Sequence, residues 1–168
     1  MPQRETEFTG GCQCGAVRFS AERLGGASIC HCRMCQKAFG GFFGPLVSGY
    51  GVVWTRGTPS YFASSNLFRR GFCRECGTPL SYELLERGPD DAVELAIGAF
   101  DNPPVAAPTV QVNLNDKLPF FDGLTALPVR RDVSPELAEE RASLVSHQHP
   151  DHDTAEWPPA GHYEGSHA

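Results

Sequence analysis

The chain has 168 residues, 40% hydrophobic and 20% charged, with a formal net charge of −6. That length buries roughly 70% of the unfolded chain's surface in an ordinary single core, and with no dense Lys/Arg block the acidic balance argues against nucleic acid as a main partner. No window approaches the run of about 18 apolar residues that a membrane span needs, and the opening MPQRETEFTG lacks the apolar stretch of a signal peptide, so a cytoplasmic protein is expected.

In chain order, the first informative stretch is GGCQCGAVRF, residues 10–19. Cys12 and Cys14 are too close in sequence to close an unstrained disulfide. In a strand, residues i and i+2 project from one face, so the pair can present two sulfurs to one point. CHCRMCQKAFG follows, with a short helical turn predicted over CRMCQKAF and Gly40 as its stop. The runs AVRFS, FFGPLVSGYGVVW, SYFASS, PLSYELL, AVELAIGAF and TVQVNL are short, β-branched or aromatic, and punctuated by Gly and Pro. They predict a mainly β fold over residues 8 to about 130. From Arg131 the character changes. Ser134 and Pro135 start a helix as N-cap and first helical residue, and Leu137, Leu144 and Val145 share one side of it for docking. The Pro-rich tail beyond it is expected to be extended or loosely packed.

The seven cysteines are Cys12, Cys14, Cys30, Cys32, Cys35, Cys73 and Cys76. In a reducing compartment they serve as thiols or metal ligands rather than disulfides. FCRECGTPL supplies a C-x-x-C followed by Gly77, the pattern of a zinc knuckle, with a left-handed turn that glycine tolerates. Joined to Cys12 and Cys14, it makes a closed Cys₄ zinc site. Cys30, Cys32 and Cys35 then remain as three ligands with an open position, the arrangement of a catalytic zinc. If Cys30 and Cys32 share a strand face, His31 points away from that metal. A second partition pairs Cys32–Cys35 with Cys73–Cys76 and leaves Cys12, Cys14 and Cys30 as the trio. Both partitions divide four plus three.

Taken together, GGCQCGAVRF, CHCRMCQKAFG, FCRECGTPL and IGAFDNP resemble the glutathione-dependent formaldehyde-activating enzyme family, whose domain is shared with centromere protein V. The resemblance covers about residues 8–130, leaving 131–168 as a C-terminal helical or extended appendage. It implies an Mss4-like zinc-containing β-sheet fold with short helical turns. It also implies two Zn²⁺ per chain: a structural ion on Cys12, Cys14, Cys73 and Cys76, and a second ion on Cys30, Cys32 and Cys35. The implied activity is that of a carbon–sulfur lyase, in which glutathione adds to formaldehyde to give S-hydroxymethylglutathione. The partners would be a small thiol and an aldehyde. A non-catalytic, zinc-stabilised protein-binding module is the alternative.

Glutathione carries two carboxylates, and Lys37, Arg69 and Arg70 are the cations nearest the cysteine clusters in sequence. Phe39, Phe42 and Phe43 can wall an apolar pocket beside the second zinc or simply pack in the core. Asp101 reads as a turn residue, or as a base if it reaches a substrate proton. His147, His149, His152, His162 and His167 lie in the tail, as a solvated terminus or a weak metal-binding tract.

Overall fold

A computed structural model describes residues 8–131 and 133–158. His162 and His167 lie outside the described residues. The predicted mainly β fold is the observed one: the described residues form ten short strands in two sheets, with brief helices between them.

The smaller sheet has the order β1-β2-β5, from β1 (Phe8–Gly11), β2 (Arg18–Ala21) and β5 (Val53–Arg56). The larger sheet contains β3 (Arg23–Cys30), β4 (Gly44–Tyr50), β6 (Ser60–Ala63), β7 (Phe68–Phe72), β8 (Pro79–Leu84), β9 (Val93–Ala96) and β10 (Val110–Val112). Its order is β10-β3-β4-β9-β8-β7-β6, antiparallel throughout except that β10 runs parallel to β3. The long run FFGPLVSGYGVVW is split at Gly51, whose φ of +60° turns the chain from one sheet to the other. β1, β3 and β7 had no clear strand signal. They are rich in Gly or Arg and owe their conformation to neighbours that complete their hydrogen bonds.

The core lies between the sheets. Phe19, Val47, Leu80, Val93 and Leu95 are fully buried, and Phe19 meets Trp54 and Phe100 edge-on. Helix α1 (Arg33–Phe39) starts at the N-cap Cys32 and ends at left-handed Gly40, as the sequence predicts. Helix α2 (Pro135–Ala142) is capped by Ser134, which accepts from the Leu137 amide. Its expected docking side is not used: Leu137 is half-buried, and Leu144 and Val145 are exposed beyond the helix. Only eight residues long, the helix leaves those two side chains past its end. Residues 143–158 after it hold no helix or strand, yet residues 149–157 are not loose. They bond back to the β1–β2 connection.

Candidate metal and substrate site

The β1–β2 connection carries Cys12 and Cys14, and the β7–β8 connection carries Cys73 and Cys76. These four sulfurs lie within 4.8 Å of one another. The group therefore joins a hairpin of the small sheet to a hairpin of the large one. Each loop is a tight turn with a left-handed glycine after its second cysteine, Gly15 (φ +75°) and Gly77 (φ +76°). Gly15 donates to Cys12 O at 3.0 Å and Gly77 to Cys73 O at 2.8 Å. Cys12 and Cys14 thus converge through a turn, not through the strand alternation expected from their spacing.

The donor set fits a tetrahedral dication. The Cys12–Cys14 and Cys14–Cys73 sulfurs are 3.6 and 3.7 Å apart. Four sulfurs at about 2.3 Å from a central zinc would stand about 3.8 Å apart. Burial pushes the Cys73 thiol up to about 11 and the Cys14 thiol higher still. At Cys76 burial acts the same way, but hydrogen bonds from Thr78 outweigh it and bring the thiol to about 7. Protons held on crowded, buried thiols are those that a dication displaces.

Cys30, Cys32 and Cys35 form the second group, also within 4.8 Å of one another. Cys30 ends β3, Cys32 caps α1, and Cys35 lies in the first turn of α1. The seven sulfurs thus fall into the first of the two partitions. Each sulfur of the trio accepts an N–H bond: Cys30 from Asn113 Nδ2 at 3.1 Å, Cys32 from the Cys35 amide at 3.4 Å, and Cys35 from the Arg70 guanidinium at 3.4 Å. Donors aimed at sulfur suit thiolates, so this set also fits a thiophilic ion. Burial nonetheless lifts the Cys35 thiol to about 12, with Arg70 opposing. For Cys30 burial raises the value, but the Asn113 bond helps bring it below the ordinary one. His31 stays outside the trio. It is fully buried, its Nε2 is 2.9 Å from Gln111 Oε1, and its ring lies edge-on to Phe121.

A cavity of about 330 Å³ opens beside the trio, lined by Tyr82, Glu94, Arg70 and Asn113 among others. The sheet register assembles much of this wall. Ser48 lies opposite Glu94, Glu94 opposite Tyr82, and Tyr82 opposite Arg70, across β4, β9, β8 and β7. A second cavity, about 480 Å³, shares Arg70 and Met34 with the first. Arg33 and Lys37 line it and no acidic residue does.

The structure brings Lys37 and Arg70 to one cavity but takes Arg69 elsewhere. Arg69 and Arg70 alternate on β7, so they point to opposite faces. Arg69 lies over the Tyr61 ring at 3.9 Å and pairs with buried Glu83. Phe39 packs against both cysteine-containing clusters, whereas Phe42 and Phe43 turn away to meet Phe120 and Phe121. Asp101 holds Arg18 through two bonds at 2.8 and 2.6 Å, at the Cys12 side of the molecule rather than at the trio. His149 lies near Arg18 and Arg56, in neither cysteine group. Sequence reasoning missed Asn113, Tyr82, Glu94 and Arg33. Tyr82, Glu94 and Asn113 are brought there by strand pairing, which no short motif contains, whereas Arg33 lies inside the CHCRMC motif at the start of α1.

The sequence model of the family described as glutathione-dependent formaldehyde-activating enzyme matches residues 7–116. The chain belongs to this family. The match spans both cysteine groups and the edge of the cavity that holds Asn113. No curated protein matches the chain. Among solved structures it is similar to the crystal structure of a Rhodobacter sphaeroides protein, at 22% identity and a TM-score of 0.49, covering 62% of this chain and 99% of that one. Family membership points to glutathione and formaldehyde as small-molecule partners and to a metal-binding protein. Among the described residues, no helix is long and apolar enough to cross a membrane.

Proposed function

We propose that the protein is a zinc-dependent enzyme of the carbon–sulfur lyase type, joining a small anionic thiol such as glutathione to an aldehyde such as formaldehyde. The observation that carries this reading is the trio of hydrogen-bonded cysteines beside a cavity that shares Arg70 and Met34 with a cation-lined one. Cys30, Cys32 and Cys35 would hold one zinc, and Cys12, Cys14, Cys73 and Cys76 a second, structural one. A three-cysteine zinc supplies an open coordination position that favours the thiolate form of a small thiol near neutral pH.

The chain's own residues do the rest. Lys37 and Arg33 face the second cavity as partners for the carboxylates of the thiol. Arg70, held between the cavities and lying 4.7 Å from the Tyr82 ring centroid, sets the orientation of an anionic substrate relative to Cys35. In the reaction the substrate sulfur bonds to the aldehyde carbon and the carbonyl π pair moves to oxygen. The thiol proton ends on that oxygen, with no oxidant or reductant required. Tyr82 and Glu94 are the proton-exchanging groups that face this cavity beside the cysteines. We assign the catalytic domain to residues 8–130, and the cytoplasm as the compartment in which seven thiols stay reduced.

The test is isotope-exchange NMR of ¹³C-formaldehyde with glutathione, which reads the enzymatic rate above the spontaneous one. Wild-type protein should accelerate adduct formation. Cys35→Ser should lose that acceleration and one zinc per chain while keeping its melting curve. Equal rates with and without wild-type protein would instead favour the non-catalytic binding module.

A further inference from the structure

The segment 148–157 follows α2 and lies beyond the family match, which ends at residue 116. Its contacts concentrate on the loop that carries Cys12 and Cys14. Three consecutive carbonyls of that loop are tied down. Gln13 O accepts from the His149 amide at 2.8 Å. Cys14 O accepts from the Trp157 indole Nε1 at 2.7 Å, and Gly15 O from Arg56 at 3.2 Å. Arg56 is itself held by the segment, through the Thr154 carbonyl and hydroxyl. Just past the loop, the buried Arg18 guanidinium is gripped from two sides, by Asp101 of the sheet domain and by Asp153 of the segment at 2.6 Å.

Packing is equally close. A Cβ added at Gly15 would stand 2.4 Å from His149 Cδ2 and 2.5 Å from Trp157 Cδ1. The two rings meet edge-on with centroids 5.0 Å apart. The segment therefore seats two aromatic rings directly on the left-handed glycine that closes the ligand turn.

We propose that residues 148–157 act as a clasp, positioning the Cys12–Gly15 turn and retaining the metal of the four-cysteine centre. The proposal rests on the reading that this centre holds zinc. A bound ion leaves only when a ligand loop opens, and local opening is governed by the bonds and packing of that loop. Four ligands from two surface turns are otherwise open to a competing chelator. The clasp removes that freedom from the Cys12–Gly15 turn, where Gly15 is buried, while the Cys73–Gly77 turn stays the more exposed of the two. Trp157, His149 and Asp153 are accordingly positioning residues, acting on the metal through Cys14 and its neighbours.

The experiment uses full-length protein carrying Cys35→Ser, so that only the four-cysteine zinc is counted, and follows zinc transfer to a chromogenic chelator. Trp157→Ala should release zinc faster by about tenfold, from the loss of a half-buried hydrogen bond and a ring contact. Trp157→Phe should fall between, keeping the ring without the donor, and Leu144→Ala should match the parent. Hydrogen exchange should quicken at the Cys12 and Gly15 amides while the β4, β8 and β9 amides stay protected. Unchanged release in Trp157→Ala would overturn the clasp, and so would exchange quickened equally in the sheet core. If the parent holds no zinc, the metal reading fails. In that case exchange at Cys12 and Gly15 in Trp157→Ala shows whether the segment positions the turn, and unchanged exchange there overturns the clasp.

Discussion

His149 shows how one buried side chain can make stability depend on pH. Its Nδ1 is 2.7 Å from the Pro150 carbonyl and donates to it, leaving Nε2, 2.9 Å from Thr154 Oγ1, to accept. Burial, and then the Arg18 guanidinium, hold its pKa below the ordinary imidazole value, with Arg56 adding to this and Asp101 opposing. A group whose folded pKa is depressed stabilises the fold fully above its unfolded pKa, and that contribution is lost as pH falls through the folded value. Denaturant melts of the full chain should therefore weaken from about pH 6.5 downward, and His149→Gln should remove that step. Asp101 makes a second, lower step. Burial raises its pKa, but bonds from Arg18 and Thr9 outweigh burial and hold it below the usual carboxylate value. Its contribution should fade only below about pH 4. A single acid transition, unaltered by His149→Gln, would contradict this assignment.

At the scale of elements, the two sheets depend on close backbone approach as much as on apolar burial. β1 touches the 3₁₀ turn Ile97–Ala99 and the residue after it, and Gly10 forms an isolated bridge with Phe100. A Cβ at Gly10 would lie 2.4 Å from the Ala99 carbonyl oxygen and 2.5 Å from the Phe19 ring. Neither neighbour can yield easily, one being backbone and the other a fully buried ring. Gly10→Ala should destabilise by about 1–3 kcal/mol, read as a lower urea midpoint with an unchanged slope. The runs AVRFS and AVELAIGAF beside this contact were legible from their β-branched and aromatic residues, as were the Gly40 stop of α1 and the start of α2. β3 and β7 were not. RLGGASIC and FRRGF lack β-branched periodicity, and their pairing is imposed by β4 and β8.

Across the whole molecule, the four-cysteine centre joins the two sheets near one end of each. If it holds zinc as proposed, the apparent binding energy is on the order of 10 kcal/mol, comparable with the net stability of a domain this size, about 5–15 kcal/mol. Cys76→Ser should thus lower the melting temperature of the entire domain or prevent its folding. Zinc removal by a strong chelator should cause the same cooperative loss, followed by circular dichroism. A melting curve indifferent to both would argue against a structural ion. Cys35→Ser is the contrast, because the trio ties α1 to the end of β3 in the large sheet and joins no second sheet.

The sequence by itself determined the β character of the domain, the turns, and a division of the cysteines into four and three, because these follow from residue spacing and local backbone preference. It carried two candidate groupings, and the tertiary structure decided between them by bringing the β1–β2 and β7–β8 turns together. It also decided which cations serve the cavity, since strand alternation sends Arg69 and Arg70 to opposite faces although they are neighbours in the chain. Asn113, Tyr82 and Glu94 reach the cavity only through register across the large sheet. The tail's role was likewise hidden. A polar, Pro-rich composition predicts an extended chain, but where it lies depends on partners more than a hundred residues away. Local patterns cannot encode contacts of that separation, because those contacts exist only once the sheets have formed.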